Sequence, residues 1–351
     1  MTLTIERITL QRFRSYEELH LDDIGELTIF VGANAVGKTN IIEGIQLLTA
    51  LCSFRNSKSS ELIKKGHETG RAVVDVTDGN RHLEIALALE ERKRTYLLNG
   101  KKKRTRDLKG LVPSVIFTPD ELTLIKGSNA GRRAELDSIG TQLNTNYYQI
   151  LKDFEKILRH KNKLLKDEAP AELVDAINEM FAKVGAQLTN YRHALFERLM
   201  PYIVEAYKEI AGGNEVLSGS YVESWEGDLS EALARLREDE LTRKRTLVGP
   251  HLDSVLFMID GMDASVYASQ GQQRSIVLAL KLAEAQLVED MLDQLPILLL
   301  DDVMSELDGS RRDALVGSLM RGKQTFITTA NINYFDQRVL DAAQIIEIEK
   351  Q

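Results

Sequence analysis

The chain has 351 residues, 43% of them hydrophobic and 28% charged, so it is long enough to bury a sizeable core and to form two lobes. Its one cysteine, Cys52, excludes a disulfide framework and is typical of a reducing compartment, so we expect a cytoplasmic protein. No apolar run approaches the ~18 residues of a membrane span, and the six histidines lack zinc-ligand spacing, so we expect neither a membrane partner nor structural zinc.

The first chemical motif in the chain is a glycine-rich phosphate loop, GANAVGKT, at residues 32–39. The segment before it, Leu27 to Val31, is apolar enough for a buried strand, and an apolar helix is predicted to begin at Thr39. In such a loop the backbone N–H groups surround phosphate oxygens, Lys38 meets the β- and γ-phosphates and Thr39 ligates Mg²⁺. The motif therefore predicts an ATP site, with a chance match as the alternative.

A strongly basic segment follows, with nine Lys or Arg and one acid between residues 92 and 109. The pair Asn99-Gly100 favours a two-residue hairpin turn, which would place this charge on a projecting β-ribbon although the whole chain has a net charge of −8. A solvated hairpin is the alternative interpretation. The candidate DNA contacts on this ribbon are Lys101, Lys102, Lys103 and Arg104.

A second basic stretch closes a helical pattern that begins near Asn146 and ends at Lys166. Apolar residues recur there with helical period, which indicates one buried stripe with charged residues mostly on the outer faces. Ordinary solubility is the alternative to nucleic-acid binding. The candidate DNA contacts on this helix are Arg159, Lys161, Lys163 and Lys166.

The segment SQGQQ, at residues 269–273, resembles the signature motif of ATP-binding-cassette proteins. In those proteins a serine and a glycine at a helix N-terminus hold the γ-phosphate of ATP bound to a second subunit. The candidate residues are Ser269, Gly271 and Gln272, ahead of a helix predicted from Arg274 to Asp290. A glycine-containing turn before an amphipathic helix is the alternative.

An apolar strand, Ile297 to Leu300, ends in Asp301 and Asp302. Two adjacent carboxylates are costly there unless a cation sits beside them, so Asp301 is predicted to ligate Mg²⁺ and Asp302 to orient the attacking water. An ordinary acidic turn is the alternative. Related proteins usually have Glu in place of Asp302, and the shorter side chain predicts slow hydrolysis. The following SELD, residues 305–308, resembles a D-loop and could also cap a helix.

The order of these motifs predicts the domain organisation. Lys38 and Asp301 must meet in space although 263 positions separate them, so the segment between them contains an inserted lobe. We predict an α/β ATPase lobe from residues 1–120 and 295–351, and a mostly helical lobe from residues 121–294 that ends in the signature motif and its helix. The fold class is a P-loop ATPase head of the ABC type, similar to SMC heads, with the helical lobe in place of a long coiled coil.

Four further segments resemble the RecF family of bacterial recombination mediators. They are ITLQRFRSYEELHLD at residues 8–22, VIFTPDELTLIKGSNAGRRAELD at 115–137, HKNKLLK at 160–166 and RTLVGPHLD at 245–253. The resemblance implies that ATP closes a homodimer, that the dimer clamps duplex or gapped DNA, and that hydrolysis releases it. It also implies partnership with RecO and RecR in loading RecA at single-strand to duplex junctions. The family usually has Arg where Lys161 and Leu252 stand here.

The resemblance assigns roles to individual residues. It implies catalytic roles for Lys38, Ser269, Asp301 and Asp302, and Mg²⁺ binding by Thr39 and Asp301. The implied ATP contacts are Arg14, Gly32, Asn34, Gly37, Lys38, Thr39, Asn40, Ser269, Gly271 and Gln272.

Two other functions compete with this interpretation. A transporter-type ATPase subunit would carry a switch histidine after the late strand that begins at Thr325, and none is present there. An SMC-like structural clamp would need many heptads of coiled coil, which the inserted lobe is too short to supply. The basic stretches favour a DNA-directed ATPase over the transporter.

Overall fold

The computed structural model describes residues 2–213, 215–319 and 322–350. The chain forms two compact units, Met1–Leu122 with Leu278–Gln351, and Thr123–Val277. The sequence pattern placed the second boundary after residue 294, whereas the structure divides the long signature helix at Val277. Lys281, on the part of this helix that belongs to the first unit, pairs with Glu121 of the same unit at 2.8 Å.

The elements alternate in type at both ends of the chain and are mainly helical between them. The strands are β1 (Thr4–Phe13), β2 (Tyr16–Leu21), β3 (Leu27–Val31), β4 (Thr69–Thr77), β5 (His82–Glu90), β6 (Lys93–Leu98), β7 (Lys101–Lys103), β8 (Ser114–Phe117), β9 (Leu217–Val222), β10 (Ser254–Ile259), β11 (Met262–Asp263), β12 (Ile297–Asp301), β13 (Thr325–Thr329) and β14 (Gln344–Glu347). The α-helices are α1 (Lys38–Thr49), α2 (Ser59–Leu62), α3 (Asn129–Leu143), α4 (Thr145–Lys166), α5 (Ala171–Ala211), α6 (Leu229–Arg235), α7 (Arg237–Arg243), α8 (Ala264–Tyr267), α9 (Gln270–Leu292), α10 (Gly309–Leu319) and α11 (Gln337–Ala342).

The first unit contains a parallel sheet in the order β14-β3-β13-β12-β8. Strand β12 is fully buried and apolar up to its last residue, as expected for a parallel strand covered on both faces. Asp301 pairs in register with Thr328 on β13, which in turn lies beside β3. The carboxyl ends of these strands therefore share one edge, and the phosphate loop follows β3 at that edge.

An antiparallel sheet in the order β2-β1-β4-β5-β6-β7 completes the first unit. Its buried residues pack with those of α1 in one continuous hydrophobic core. Strands β6 and β7 are joined by Asn99 and Gly100, whose φ values of 49° and 73° are those of the predicted two-residue turn. The predicted basic hairpin is confirmed, and Lys101, Lys102 and Lys103 are exposed on its edge strand.

The second unit is built mainly from α3 to α7 and carries a small sheet in the order β11-β10-β9. The 41-residue helix α5 crosses it, and Phe181 on this helix packs on Phe154 of α4 with ring centroids 5.1 Å apart. No helix in residues 2–213, 215–319 or 322–350 is long and apolar enough to cross a membrane.

The RTLVGPHLD segment holds this second unit together from within. Asp253 is fully buried, and its carboxylate accepts hydrogen bonds from Thr189 Oγ1 at 3.2 Å and from Ser224 N at 2.9 Å. Arg192 donates to the carbonyl oxygen of Pro250 at 2.6 Å. These hydrogen bonds give the segment a structural role, because they join it to α5 and to the residues after β9. The exposed Leu252 takes no part in them.

Lys161 differs from the prediction, because it is fully buried rather than available to DNA. Its Nζ lies 2.7 Å from Glu240 Oε2 and 4.7 Å from the centre of the Phe181 ring. Residues 154, 157, 161 and 165 are all buried on α4, so the helical period places Lys161 on the apolar stripe. The assignment of Lys161 to a DNA contact is therefore wrong, whereas Arg159, Lys163 and Lys166 are exposed.

Substituting Lys161 with Ala is expected to lower the free energy of unfolding by about 3–5 kcal/mol, since the Glu240 carboxylate would stay buried without its cation. Chemical denaturation measures this loss. Lys163→Ala on the exposed face is the matched control and should change stability by less than about 0.5 kcal/mol. Equal stabilities for the two variants would contradict the assignment of a buried ion pair.

Candidate functional site

The phosphate loop connects β3 to α1 and depends on two glycines. Gly37 has φ of +115°, and a Cβ atom there would lie 2.8 Å from both Ser15 Oγ and the Tyr16 hydroxyl. A Cβ atom at Gly32 would lie 2.4 Å from the carbonyl oxygen of Ile348. Both positions therefore require glycine for the backbone path.

Lys38 closes this loop from inside. Its buried ammonium donates to the carbonyl oxygens of Gly32 at 2.7 Å and Ala33 at 2.8 Å. Burial lowers the pKa of Lys38, and the negative charges of Asp302 and Asp301 act in the opposite direction. The structure thus brings the predicted cation and the two predicted carboxylates together, although they are distant in sequence.

Asp301 is buried at the end of β12 and is held by two hydroxyl groups. Thr328 Oγ1 donates to its Oδ1 at 2.8 Å, and the Thr39 side chain also hydrogen-bonds to the carboxylate. Burial raises the pKa of Asp301, while these hydrogen bonds lower it. A buried carboxylate beside the phosphate-loop threonine has the oxygen chemistry that a divalent cation prefers.

Asp302 is turned toward the loop by a left-handed backbone conformation with φ of +53°. Its N–H donates to Thr328 Oγ1 at 3.0 Å, which fixes the residue at the end of β13. Burial raises the pKa of Asp302, and the charge of Lys38 lowers it. Ser305 Oγ donates to the Asp302 carbonyl oxygen at 2.8 Å and ties the SELD segment to the same position.

Lys38, Thr39 and Asp302 line a cavity of about 280 Å³, whereas Asp301 is not among its lining residues. Sequence reasoning missed three of its residues, Ala35 within the phosphate-loop motif and Arg55 and Thr328 outside it. Thr328 lies near the end of β13, beside Asp301 on β12, so the strand pattern could have identified it. Arg55 lies in a loop that carries no recognisable motif, so no sequence signal marked it. Arg55 Nη1 donates to Asn40 Oδ1 at 3.0 Å. The cavity is lined by Asn34, Ala35, Gly37, Lys38, Thr39, Asn40, Arg55, Asp302 and Thr328.

Arg14 is not among the residues that line this cavity, although it was assigned to ATP. Its Nε and Nη2 each donate to the buried Glu43 carboxylate at 2.8 Å, and its Nη1 donates to the Glu61 carbonyl oxygen at 2.8 Å. The guanidinium is thus engaged in anchoring α1. Glu43 also accepts from the hydroxyls of Ser53 at 2.6 Å and Ser57 at 2.8 Å. Burial alone would raise the pKa of Glu43, but the hydrogen bonds from Arg14, Ser53 and Ser57 together lower it.

The signature segment belongs to the second unit, and its helix α9 begins at Gln270 rather than at Arg274. Ser269 is the residue before the helix and is exposed. Its Oγ accepts from Gln272 N at 3.2 Å, while its own N–H donates to Gln272 Oε1 at 2.7 Å. This reciprocal capping box explains the earlier start of the helix. Within the chain's own phosphate-loop cavity, neither Ser269 nor Gly271 is a lining residue.

The SELD segment also caps a helix, as one of the two interpretations predicted. Asp308 Oδ1 accepts from Arg311 N at 3.0 Å at the start of α10. The hydrogen bonds to this carboxylate lower the pKa of Asp308. A D-loop role remains a prediction.

The chain is similar to a well-populated group of proteins over its whole length. The family model described as RecF/RecN/SMC N terminal domain matches residues 4–351. The DNA replication and repair protein RecF of Cyanothece sp. is 35% identical over 98% of this chain and 96% of its own, and that of Listeria monocytogenes is 32% identical over 99% and 98%.

Solved structures give the same result for the fold. The recombination mediator protein RecF-ATPrS of the RecFOR pathway superimposes with a TM-score of 0.90 at 30% identity, over 99% of this chain and 97% of the other. An Smc head domain from Pyrococcus furiosus, bound to the C-terminal domain of ScpA, gives a TM-score of 0.56 at 16% identity over 100% and 94%, and so supports the fold alone. The predicted head fold is confirmed.

Proposed function

The chain belongs to the RecF family, and on that premise we propose that it is an ATP-dependent DNA-binding protein of replication and recombinational repair. The observation that carries the proposal is that Lys38 and Asp302 line one cavity at the phosphate loop, with Asp301 hydrogen-bonded to Thr39 of the same loop. The relatives are named as DNA replication and repair proteins, and one related structure is of a RecF-ATP complex. The activity we assign is hydrolysis of ATP to ADP and phosphate.

The residues of the cavity fit ATP and Mg²⁺. The loop amides and the Lys38 ammonium supply donors for phosphate oxygens, and the two glycines permit the backbone path that the loop follows. Thr39 and Asp301 are the oxygen donors that would hold Mg²⁺, which would neutralise charge on the transferred phosphate. Arg55 at the rim adds a further cation.

The signature segment supplies the part of the site that we assign to a second copy of the chain. Because Ser269 Oγ accepts a hydrogen bond from Gln272 N, its own proton remains available for an anion. The N-terminus of the 23-residue helix α9 adds backbone donors and a favourable dipole. We infer that the γ-phosphate bound by Lys38 in one copy meets Ser269 and Gly271 of the other, so that ATP closes a homodimer.

Asp302 is assigned to orient and activate the attacking water. Its carboxylate is half-buried beside Lys38, and burial raises the pKa toward the range useful for accepting a proton. Aspartate reaches one methylene less far than glutamate, so we infer slow turnover that DNA accelerates by stabilising the closed dimer. ATP then acts as a timer for DNA release.

The DNA contacts we propose are the exposed cations of the β6–β7 ribbon and of α4. Lys101, Lys102 and Lys103 make no ion pair with any residue that the structure describes. Flexible lysines on a surface suit phosphate rather than base edges, so the binding is expected to be independent of sequence. The remaining candidates are Arg104, Arg159, Lys163 and Lys166. Gapped DNA, RecO, RecR and RecA enter the proposal through the RecFOR pathway of the related structure.

Fluorescence anisotropy tests this function with gapped duplex, blunt duplex and single-stranded DNA, each with Mg-ATP and without nucleotide at fixed salt. We expect the duplex-containing DNAs to bind tightly only when Mg-ATP is present. The gapped duplex should bind most tightly of the three. Replacing the three ribbon lysines with Ala should make the plot of log affinity against log salt concentration less steep. The slope should fall by roughly one for each phosphate contact that is lost. Weak binding that does not change with nucleotide would reject the proposal in favour of an ATPase that acts on a protein.

A further inference from the structure

The start of helix α9 is connected to the end of helix α5 by a chain of side-chain hydrogen bonds within the second unit. Gln272 Nε2 donates to Glu215 Oε1 at 2.8 Å, and the other oxygen of Glu215 accepts from the Tyr207 hydroxyl. Tyr207 is fully buried in the last turns of α5, and Glu215 follows that helix and is half-buried. The chain therefore links a rigid core residue to the signature segment.

Glu215 determines which way the Gln272 side-chain amide faces. An ionised carboxylate can accept hydrogen bonds but cannot donate them, so the amide nitrogen must point toward it. The amide oxygen of Gln272 is then directed at the Ser269 N–H, to which it is bonded at 2.7 Å. Reversing the amide would put its NH₂ group against a backbone donor and lose both contacts.

The orientation of Gln272 reaches the group that the proposed function uses. With the capping box closed, the Ser269 hydroxyl oxygen accepts from Gln272 N at 3.2 Å, and the hydroxyl keeps its proton for a further acceptor. Ser269 itself is exposed and lies ahead of the helix, so the capping box is the contact that orders it. A carboxylate that holds the Gln272 side chain therefore also helps to hold the Ser269 backbone in the capping box.

We propose that Glu215 is a positioning residue for the signature segment, held by Tyr207 and acting through Gln272 on Ser269. The proposal rests on the proposed function, in which Ser269 of one copy meets the nucleotide of another. Glu215 touches neither nucleotide nor Mg²⁺ in this scheme, so its loss should impair dimer closure and leave nucleotide binding by the separate chain intact.

Four variants distinguish this role from general stability. Glu215→Ala removes the acceptor of the Gln272 Nε2 hydrogen bond. Glu215→Gln keeps an oxygen for Gln272 Nε2, and its amide N–H can donate a hydrogen bond to the Tyr207 hydroxyl oxygen. Tyr207→Phe removes the hydroxyl that donates to Glu215 and otherwise keeps the aromatic ring in the core. Glu205→Ala, an exposed carboxylate on the same stretch of α5, is the matched control.

The first readout is the dissociation constant of the ATP-dependent dimer, measured by sedimentation with a slowly hydrolysed ATP analogue. We expect Glu215→Ala to weaken the dimer by about tenfold for each shared site, which is the loss of one oriented hydrogen bond, and Tyr207→Phe to weaken it less. The affinity of the isolated chain for nucleotide should stay within about twofold of the parent. Glu205→Ala should behave as the parent does, and Glu215→Gln should lie closer to the parent than to Glu215→Ala because it keeps an acceptor for Gln272 but loses the acceptor-only character of the carboxylate.

The second readout needs neither nucleotide nor a dimer. Hydrogen exchange of the segment around residues 268–275 should quicken in Glu215→Ala and remain unchanged in Glu205→Ala, because the Ser269 N–H loses its oriented acceptor. Unchanged exchange and unchanged dimerisation in Glu215→Ala would overturn the proposal, as would a Glu215→Gln variant as impaired as Glu215→Ala. If the parent fails to dimerise with ATP while the exchange results hold, the proposed function fails and the positioning of Ser269 by Glu215 stands.

Discussion

Replacing Lys38 with Met is expected to abolish ATP-dependent dimerisation and ATP-dependent DNA binding while leaving the fold intact. The ammonium is the buried cation at the centre of the phosphate loop, where it bonds to the carbonyl oxygens of Gly32 and Ala33. Methionine keeps the unbranched side chain and removes the charge. Loss of a charged hydrogen-bond donor costs about 1.5–3 kcal/mol, which corresponds to roughly a ten- to hundredfold weaker affinity for ATP.

Isothermal titration measures the ATP affinity of this variant, and anisotropy measures its DNA binding. Lys65→Met, at an exposed position outside the proposed DNA contacts, removes one charge elsewhere and controls for the change in net charge. That control should weaken DNA binding by at most a small, salt-dependent factor and keep its dependence on ATP. A Lys38→Met protein that binds DNA as well as the parent would show that nucleotide does not gate DNA binding.

Replacing Asp302 with Asn is expected to stop hydrolysis without preventing the dimer from closing. The amide has nearly the same shape but cannot accept a proton from the attacking water, so turnover should fall by about 10²- to 10⁴-fold. Asp302 also lies close enough to Asp301 for their charges to repel, so removing one charge should not weaken nucleotide binding. The variant should accumulate as an ATP-bound dimer that releases DNA slowly.

Single-turnover hydrolysis and the lifetime of the DNA complex measure the two parts of this expectation. Asp336→Asn, at the start of α11, is the matched control because its carboxylate caps a helix by accepting from Val339 N at 3.0 Å. It should cost at most about 1 kcal/mol of stability and keep most of the ATPase activity. Parent-like turnover in Asp302→Asn would assign the base to another group.

Local sequence patterns were sufficient for the phosphate loop and for the acidic strand. A loop of this kind requires left-handed glycine and a short path to α1, and both requirements are visible in the residues themselves. Parallel pairing of β3, β13 and β12 then brings Asp301 beside the loop, as the apolar character of these strands predicts. The Asn99-Gly100 turn was predictable for the same reason, since its backbone conformation selects its residues.

Contacts between distant segments were not visible in the sequence. Arg55 lies in an irregular loop, so no periodicity indicated that it would reach the cavity. Arg14 was assigned from resemblance, and the structure shows that its guanidinium is bonded to Glu43 instead. Lys161 was misassigned because its charge was given more weight than its place on the helix. It lies on the same buried face of α4 as Ile157 and Leu165. A lysine can occupy such a position when a carboxylate such as Glu240 accompanies it.

The central claim is that each ATP site is shared by two copies of the chain, and mixing two inactive variants tests it most directly. Lys38→Met removes the phosphate-loop cation, and Ser269→Arg blocks the signature segment in the other unit. A dimer of one variant with the other contains one intact shared site, made from the loop of the Ser269→Arg chain and the signature of the Lys38→Met chain. We predict that the mixture hydrolyses ATP although neither variant does so alone. An inactive mixture, or an active Ser269→Arg protein by itself, would contradict the shared site.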